Sequence, residues 1–83
     1  MSDWRSGGPI KGMETHNGAP KRFIWQGQTH TVSDIADVWR IDDSWWQQRV
    51  WQDRYKLVTT TGLLVIVAHD LVSDEWWVIH PYD

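Results

Sequence analysis

The chain has 83 residues, no cysteine and a formal net charge of -3, from 8 Lys plus Arg against 11 Asp plus Glu. These counts allow one small domain at most, and they exclude a disulfide framework, a thiolate zinc site and a thiol nucleophile. The acidic balance also weighs against a phosphate-backbone binder, which works through clustered positive charge and counterion release.

Residues 1–21, "MSDWRSGGPIKGMETHNGAPK", are rich in Gly, Ser, Pro and isolated charges without a sustained period, and read as a flexible leader. They carry no apolar segment of the kind a secretion signal has, and no stretch of the chain reaches the length of a membrane span, so the expected location is the cytoplasm. The "GGPIKG" stretch lacks the GK[ST] ending of a phosphate loop.

Residues 22–83 are expected to form a single small β-domain. "RFIWQGQTHTV" gives two β-prone runs around Gln26-Gly27, a hairpin in which Phe23 and Trp25 share one face. "SDIADVWR" then sets Ile35, Val38 and Trp39 at helical spacing, with Thr31 or Ser33 as cap and Asp34 and Asp37 near the positive end of the dipole, which predicts one short helix after the second strand. "RYKLVTT", "LLVIVAHD" and "EWWVIHPY", separated by Thr61-Gly62 and Ser73-Asp74, predict a three-stranded meander. Residues 63–68 are apolar at every position, which suits a central strand covered on both faces. The expected fold class is therefore mainly β (α+β): an antiparallel sheet of about five strands curled into a partial barrel, with one helix.

The eight tryptophans are the strongest feature. Each buries roughly 200 Å², so the majority are expected in the core of so small a domain. Trp76 and Trp77 are adjacent and must point to opposite faces of their strand, and Tyr55 and Leu57 must share one. "SWWQQRVW" falls in the 40–52 connection, where Trp46 and Trp51 suit a lid over the second sheet face and Trp45 an exposed contact. Trp45, Trp46, Trp51, Arg49 and Arg54 are the candidate partner-binding residues.

No reaction-specific constellation stands out. His16, His30, His69 and His80 lack zinc-site spacing, and Ser33, Ser44 and Ser73 lie in no GxSxG. No metal, no cofactor and no catalytic residue is expected, although His69, Asp70, His80 and Asp83 would make a cross-strand site if they converged.

The ordered motifs "FIWQGQTHTV", "DVWR", "SWW", "RYKLVT" and "HDLVSDEWWVIHPYD" resemble the DUF6504 family of small bacterial domains of unknown function over about residues 20–83. The matching positions are Trp25, Gly27, Val32, Trp39, Trp45, Trp46, Tyr55, Asp70, Leu71, Trp76, Tyr82 and Asp83. The resemblance implies an accessory role beside error-prone, translesion DNA polymerases. Gln28, His30, His69, His80 and Pro81 depart from the pattern and shed positive charge. The functional expectation is a non-enzymatic interaction module that docks on a protein, a DNA repair polymerase or accessory and a second copy of the chain being the named candidates. The alternative is a weak single-stranded nucleic-acid binder that stacks bases on exposed Trp.

Overall fold

The computed structural model describes residues 7–45 and 48–82, without the side chains at 44, 45, 48 and 80–82. The described residues form six strands, β1 (Ile10–His16), β2 (Ala19–Trp25), β3 (Gln28–Trp45), β4 (Gln48–Thr59), β5 (Leu64–Asp70) and β6 (Glu75–Tyr82). Each pairs antiparallel with its neighbour in sequence, in the order β1-β2-β3-β4-β5-β6, and the sheet curls into a half-barrel.

Turn chemistry sets the meander. Asn17-Gly18 and Gln26-Gly27 have φ of 52° and 81°, and of 52° and 75°, the doubly positive pattern of two-residue hairpin turns whose twist matches that of the flanking strands. They close the pairs His16↔Ala19 and Trp25↔Gln28. The β5–β6 turn holds Asp74 at φ 61°, with its N–H donating to the Asp70 carbonyl at 2.7 Å.

The inner face of the sheet carries the core. Phe23, Leu57, Val65, Val67 and Val78 are fully buried there, Trp25 and Tyr55 nearly so, and Ile10, Met13, Val32, Ile35, Leu63 and Trp76 pack around them. Alternation in strands dictates this membership: Phe23 with Trp25, Tyr55 with Leu57 and Val65 with Val67 are each two residues apart. As expected from adjacency, Trp76 joins the inner face and Trp77 does not. β5 alternates accordingly: Val65 and Val67 are buried while Leu64 and Ile66 are half-buried, so this apolar strand is not sealed equally on both sides.

The sheet has six strands where about five are expected, and two further expectations are corrected. Among the described residues no helix is present, and 33–40 lie within β3. The β3–β4 register shifts between Val32 and Asp34 and again between Ile35 and Asp37, so two bulges each insert one extra residue. The residues that face Thr59, Leu57 and Tyr55 are therefore Val32, Ile35 and Val38, three apart, which mimics helical spacing. Ser33, expected as a helix cap, instead uses its hydroxyl to donate to the Val58 carbonyl at 3.0 Å.

Residues 10–21, expected in a leader, form β1 and the start of β2. Upstream of β1 the chain closes the half-barrel against its last strand. The Gly7 N–H donates to the Val78 carbonyl and the Val78 N–H to the Gly8 carbonyl, both at 2.9 Å, and Pro9 bridges to Trp77. The Trp25 indole donates to the Gly7 carbonyl at 2.7 Å. A Cβ on Gly7 would stand 2.4 Å from the Val78 carbonyl oxygen, so only glycine allows this approach.

Candidate functional site: a Trp-bearing β-arm

β3 and β4 outrun the rest of the sheet. The last β4–β5 pair is Gln52↔Asp70, with one further bond from the Leu71 N–H to the Trp51 carbonyl at 2.9 Å. The β3–β4 pairing continues from Asp42↔Trp51 to Trp45↔Gln48, and among the described residues no third strand lies beside it. Within 40–52, expected to fold back as a lid over the sheet, residues 40–45 and 48–52 thus form a two-stranded arm. The reason is register: the alternation runs unbroken from Val38 to Trp45, so the strands continue instead of turning over.

The arm's inner face continues the core face but changes character. Beyond Tyr55 and Val38 it carries Arg40 opposite Asp53 and Asp42 opposite Trp51. Arg40 makes a two-pronged pair with Asp53, Nε to Oδ1 at 2.7 Å and Nη2 to Oδ2 at 3.2 Å. This pairing, and the charge of Asp53, raise the Arg40 pKa further. The Arg49 guanidinium stands 4.8 Å from the centroid of the Trp51 ring and that of Arg40 stands 5.9 Å from it. Arg49 also reaches Asp42, at 3.5 Å. Trp51 is half-buried under these two cations, whose attraction to the ring face fixes its orientation.

Next to this cluster, on the same face, His69 lies opposite Asp53 and Trp76 opposite His69. The His69 and Trp76 rings stack with centroids 4.0 Å apart and planes 2° from parallel, and His69 Nε2 lies 2.7 Å from Asp74 Oδ1. The Tyr55 and Trp76 rings are 5.8 Å apart. Burial pushes the Tyr55 phenol pKa up, with the charge of Asp53 adding to it. Charged pairs and stacked rings thus run from the core edge to the arm.

Of the residues singled out in the sequence, Trp51 and Arg49 come together here. Arg54 does not: an odd number of residues from Trp51, it lies on the outer face, where its Nε donates to Gln52 Oε1 at 3.1 Å and burial lowers its pKa. Trp45 ends β3 opposite Gln48, its side chain outside the described ones, and Trp46 lies outside the described residues altogether. Arg40, Asp42 and Asp53 are not among the sequence candidates, and Trp76 is there only as a face assignment and a motif position, although a strand reading of "VWRIDD" sets Arg40 and Asp42 on one face.

The cross-strand site at His69, Asp70, His80 and Asp83 is not assembled by the described residues. His69 and Asp70 are neighbours in β5 and face opposite sides, and Asp70 is held by the Val72 N–H at 3.0 Å. His80 pairs in register with Ile66, three residues along β5 from His69, and Asp83 lies outside the described residues. Among the described residues no group of three or more His, Cys, Asp or Glu could hold a metal ion. Nor is any helix among them long and apolar enough to cross a membrane. Compared with protein-family models, curated proteins and solved structures, the chain matches none.

Proposed function

We propose that this chain is a non-enzymatic interaction module that docks on a protein partner through the inner face of its β3–β4 arm. The observation that carries the reading is the placement of Trp51. It is absent from the core cluster and stands on a part of the sheet where no third strand is found among the described residues, oriented by two arginines. A large ring that the core does not use, on a preformed surface with cations beside it, has the composition of an interface hot spot. The motif resemblance to DUF6504 extends the proposal to a partner in damage-tolerant DNA synthesis.

Charge pairing on the arm favours protein over nucleic acid. Arg40 is committed to Asp53, and Arg49 lies against Asp42, so each cation near the ring brings a carboxylate with it. A single strand stacking on Trp51 would meet that negative charge, and the phosphate contacts that give salt-dependent affinity would be offset.

The test is intrinsic tryptophan fluorescence titrated with short single-stranded DNA at low salt, run beside affinity capture with wild-type and Trp51→Ala baits. The proposal expects no quenching by DNA and loss of the captured protein from the Trp51→Ala bait. Quenching with a steep salt dependence would move the assignment to the nucleic-acid reading.

A further inference from the structure

The arm has an edge as well as a face. β2 pairs with β3 only from Trp25↔Gln28 to Arg22↔Thr31, so beyond Thr31 no described strand runs along the side of β3 opposite β4. A free edge of that length is a template for strand addition, and sheets ordinarily blunt such edges with bulges and charges. The first part of this edge is blunted: both register shifts fall between Val32 and Asp37, with Asp34 and Asp37 exposed beside them. From Val38 onward the register is unbroken through Trp45 and the strand carries no bulge.

That flat stretch reads Val38-Trp39-Arg40-Ile41-Asp42-Asp43, and its charges are complementary to themselves. When two copies of one edge pair antiparallel about a two-fold axis perpendicular to the sheet, each face continues across the junction and the axis passes through a single residue position. Centring on Arg40 sets Arg40 against Arg40, and centring on Asp42 sets Asp42 against Asp42. Centring on Ile41 sets Arg40 of each copy against Asp42 of the other, with the two Ile41 residues on the axis. Directly opposed unlike charges stabilise a strand pair and like charges oppose it, so the three registers differ in sign.

Both side chains keep hydrogen-bonding capacity for the exchange beside the partners they already have. Arg40 uses Nε and Nη2 on Asp53, which leaves further N–H donors of the guanidinium, and its side chain is 56% exposed. Asp42 is 53% exposed and touches Arg49 through Oδ1 only, at 3.5 Å. Across the junction the inner face would read Asp53, Arg40, then Asp42 and Trp51 of the second copy. On the outer face the two Ile41 side chains would meet, with a Trp39 diagonal to each. Val38, 53% exposed in the isolated chain, would gain a neighbouring strand.

We infer that the Val38–Ser44 edge of β3 pairs with the same edge of a second copy, in the register centred on Ile41, to give a two-fold dimer with one continuous sheet. This assignment concerns the edge and stands whether or not the arm's inner face docks another protein.

The test is sedimentation equilibrium of the full chain, with Arg40→Asp and Asp42→Arg variants measured alone and mixed one to one. In the Ile41 register each variant alone opposes two pairs of like charges, whereas the mixture restores two unlike pairs. The wild type should dimerise, each single variant should dimerise about tenfold or more weakly, and the mixture should recover a heterodimer. Circular dichroism of each variant keeps a folding defect distinct from a pairing defect, and recovery in the mixture could not come from misfolded chains. A wild type that stays monomeric at concentrations on the order of 1 mM, single variants that associate like the wild type, or a mixture that stays monomeric would overturn the inference. So would an edge that binds an added extended peptide while the chain alone remains a monomer.

Discussion

Replacing Gly7 by Ala tests how the half-barrel is closed. The new Cβ would lie 2.4 Å from the Val78 carbonyl oxygen and 2.6 Å from Val78 Cγ1, so the two backbones must part. Parting them removes the Gly7 to Val78 and Val78 to Gly8 hydrogen bonds and pulls the Gly7 carbonyl away from the Trp25 indole. At about 1 kcal/mol net for each bond, the loss is about 2–3 kcal/mol. For a domain of this size each kcal/mol moves the midpoint by about 4–8 °C, so Tm should fall by about 10–20 °C. Thermal unfolding followed by tryptophan fluorescence reads the change directly, because Trp25 is one of the groups released. A Tm within about 2 °C of the wild type would mean that the segment before β1 contributes nothing to the closure, and the reasoning would fail.

Leu57→Ala removes a fully buried side chain from the centre of the inner face and should cost about 2–5 kcal/mol in urea unfolding. Val72→Ala, at a site 64% exposed in the last turn, should stay within about 0.5 kcal/mol. Tyr55 supplies a pH test, since burial first and the charge of Asp53 second raise its folded pKa above the unfolded value. A raised pKa means that the folded state holds the proton more tightly. The corresponding stability is complete below about pH 10, the unfolded phenol value, and is lost as pH rises through the folded one. Urea midpoints measured on both sides of that range should fall more steeply for the wild type than for Tyr55→Phe, and parallel curves would contradict the assignment.

Much of the fold is legible in particular residues. Phe23 and Trp25, Tyr55 and Leu57, and Trp76 against Trp77 could be assigned to faces by alternation alone, because a strand permits nothing else. Gln26-Gly27 announced a hairpin, and Asn17-Gly18 carried an even stronger turn signal. That second signal stands among Gly, Ser, Pro and isolated charges without a sustained period, a composition that reads as a linker. β1 is held by its partners more than by its own side chains: His16, Glu14 and Lys11 are exposed and only Ile10 and Met13 reach the core.

The helix misreading has a different cause. Val32, Ile35 and Val38 recur every third residue because bulges add one residue between successive inward positions, and an isolated sequence cannot tell that period from a helical one. The same misreading hid part of the site. A helix ending near Arg40 breaks the strand that sets Arg40 beside Asp42 and both near Trp51, so of this cluster the "SWWQQRVW" motif yields only Trp51 and Arg49, beside Trp45 and Trp46. Asp53, His69 and Trp76 join that face through pairings four strands wide, which no local pattern encodes.

The arm is the centre of the account: Trp51 serves binding and not the core. The direct measurement is to compare wild type and Trp51→Ala side by side for Tm and for the proteins each retains in quantitative affinity capture. The account predicts a Tm changed by no more than a few degrees, because Trp51 lies outside the core cluster, together with loss of the retained partner. An unfolded Trp51→Ala chain, or a folded one that retains the same partner as the wild type, would contradict it.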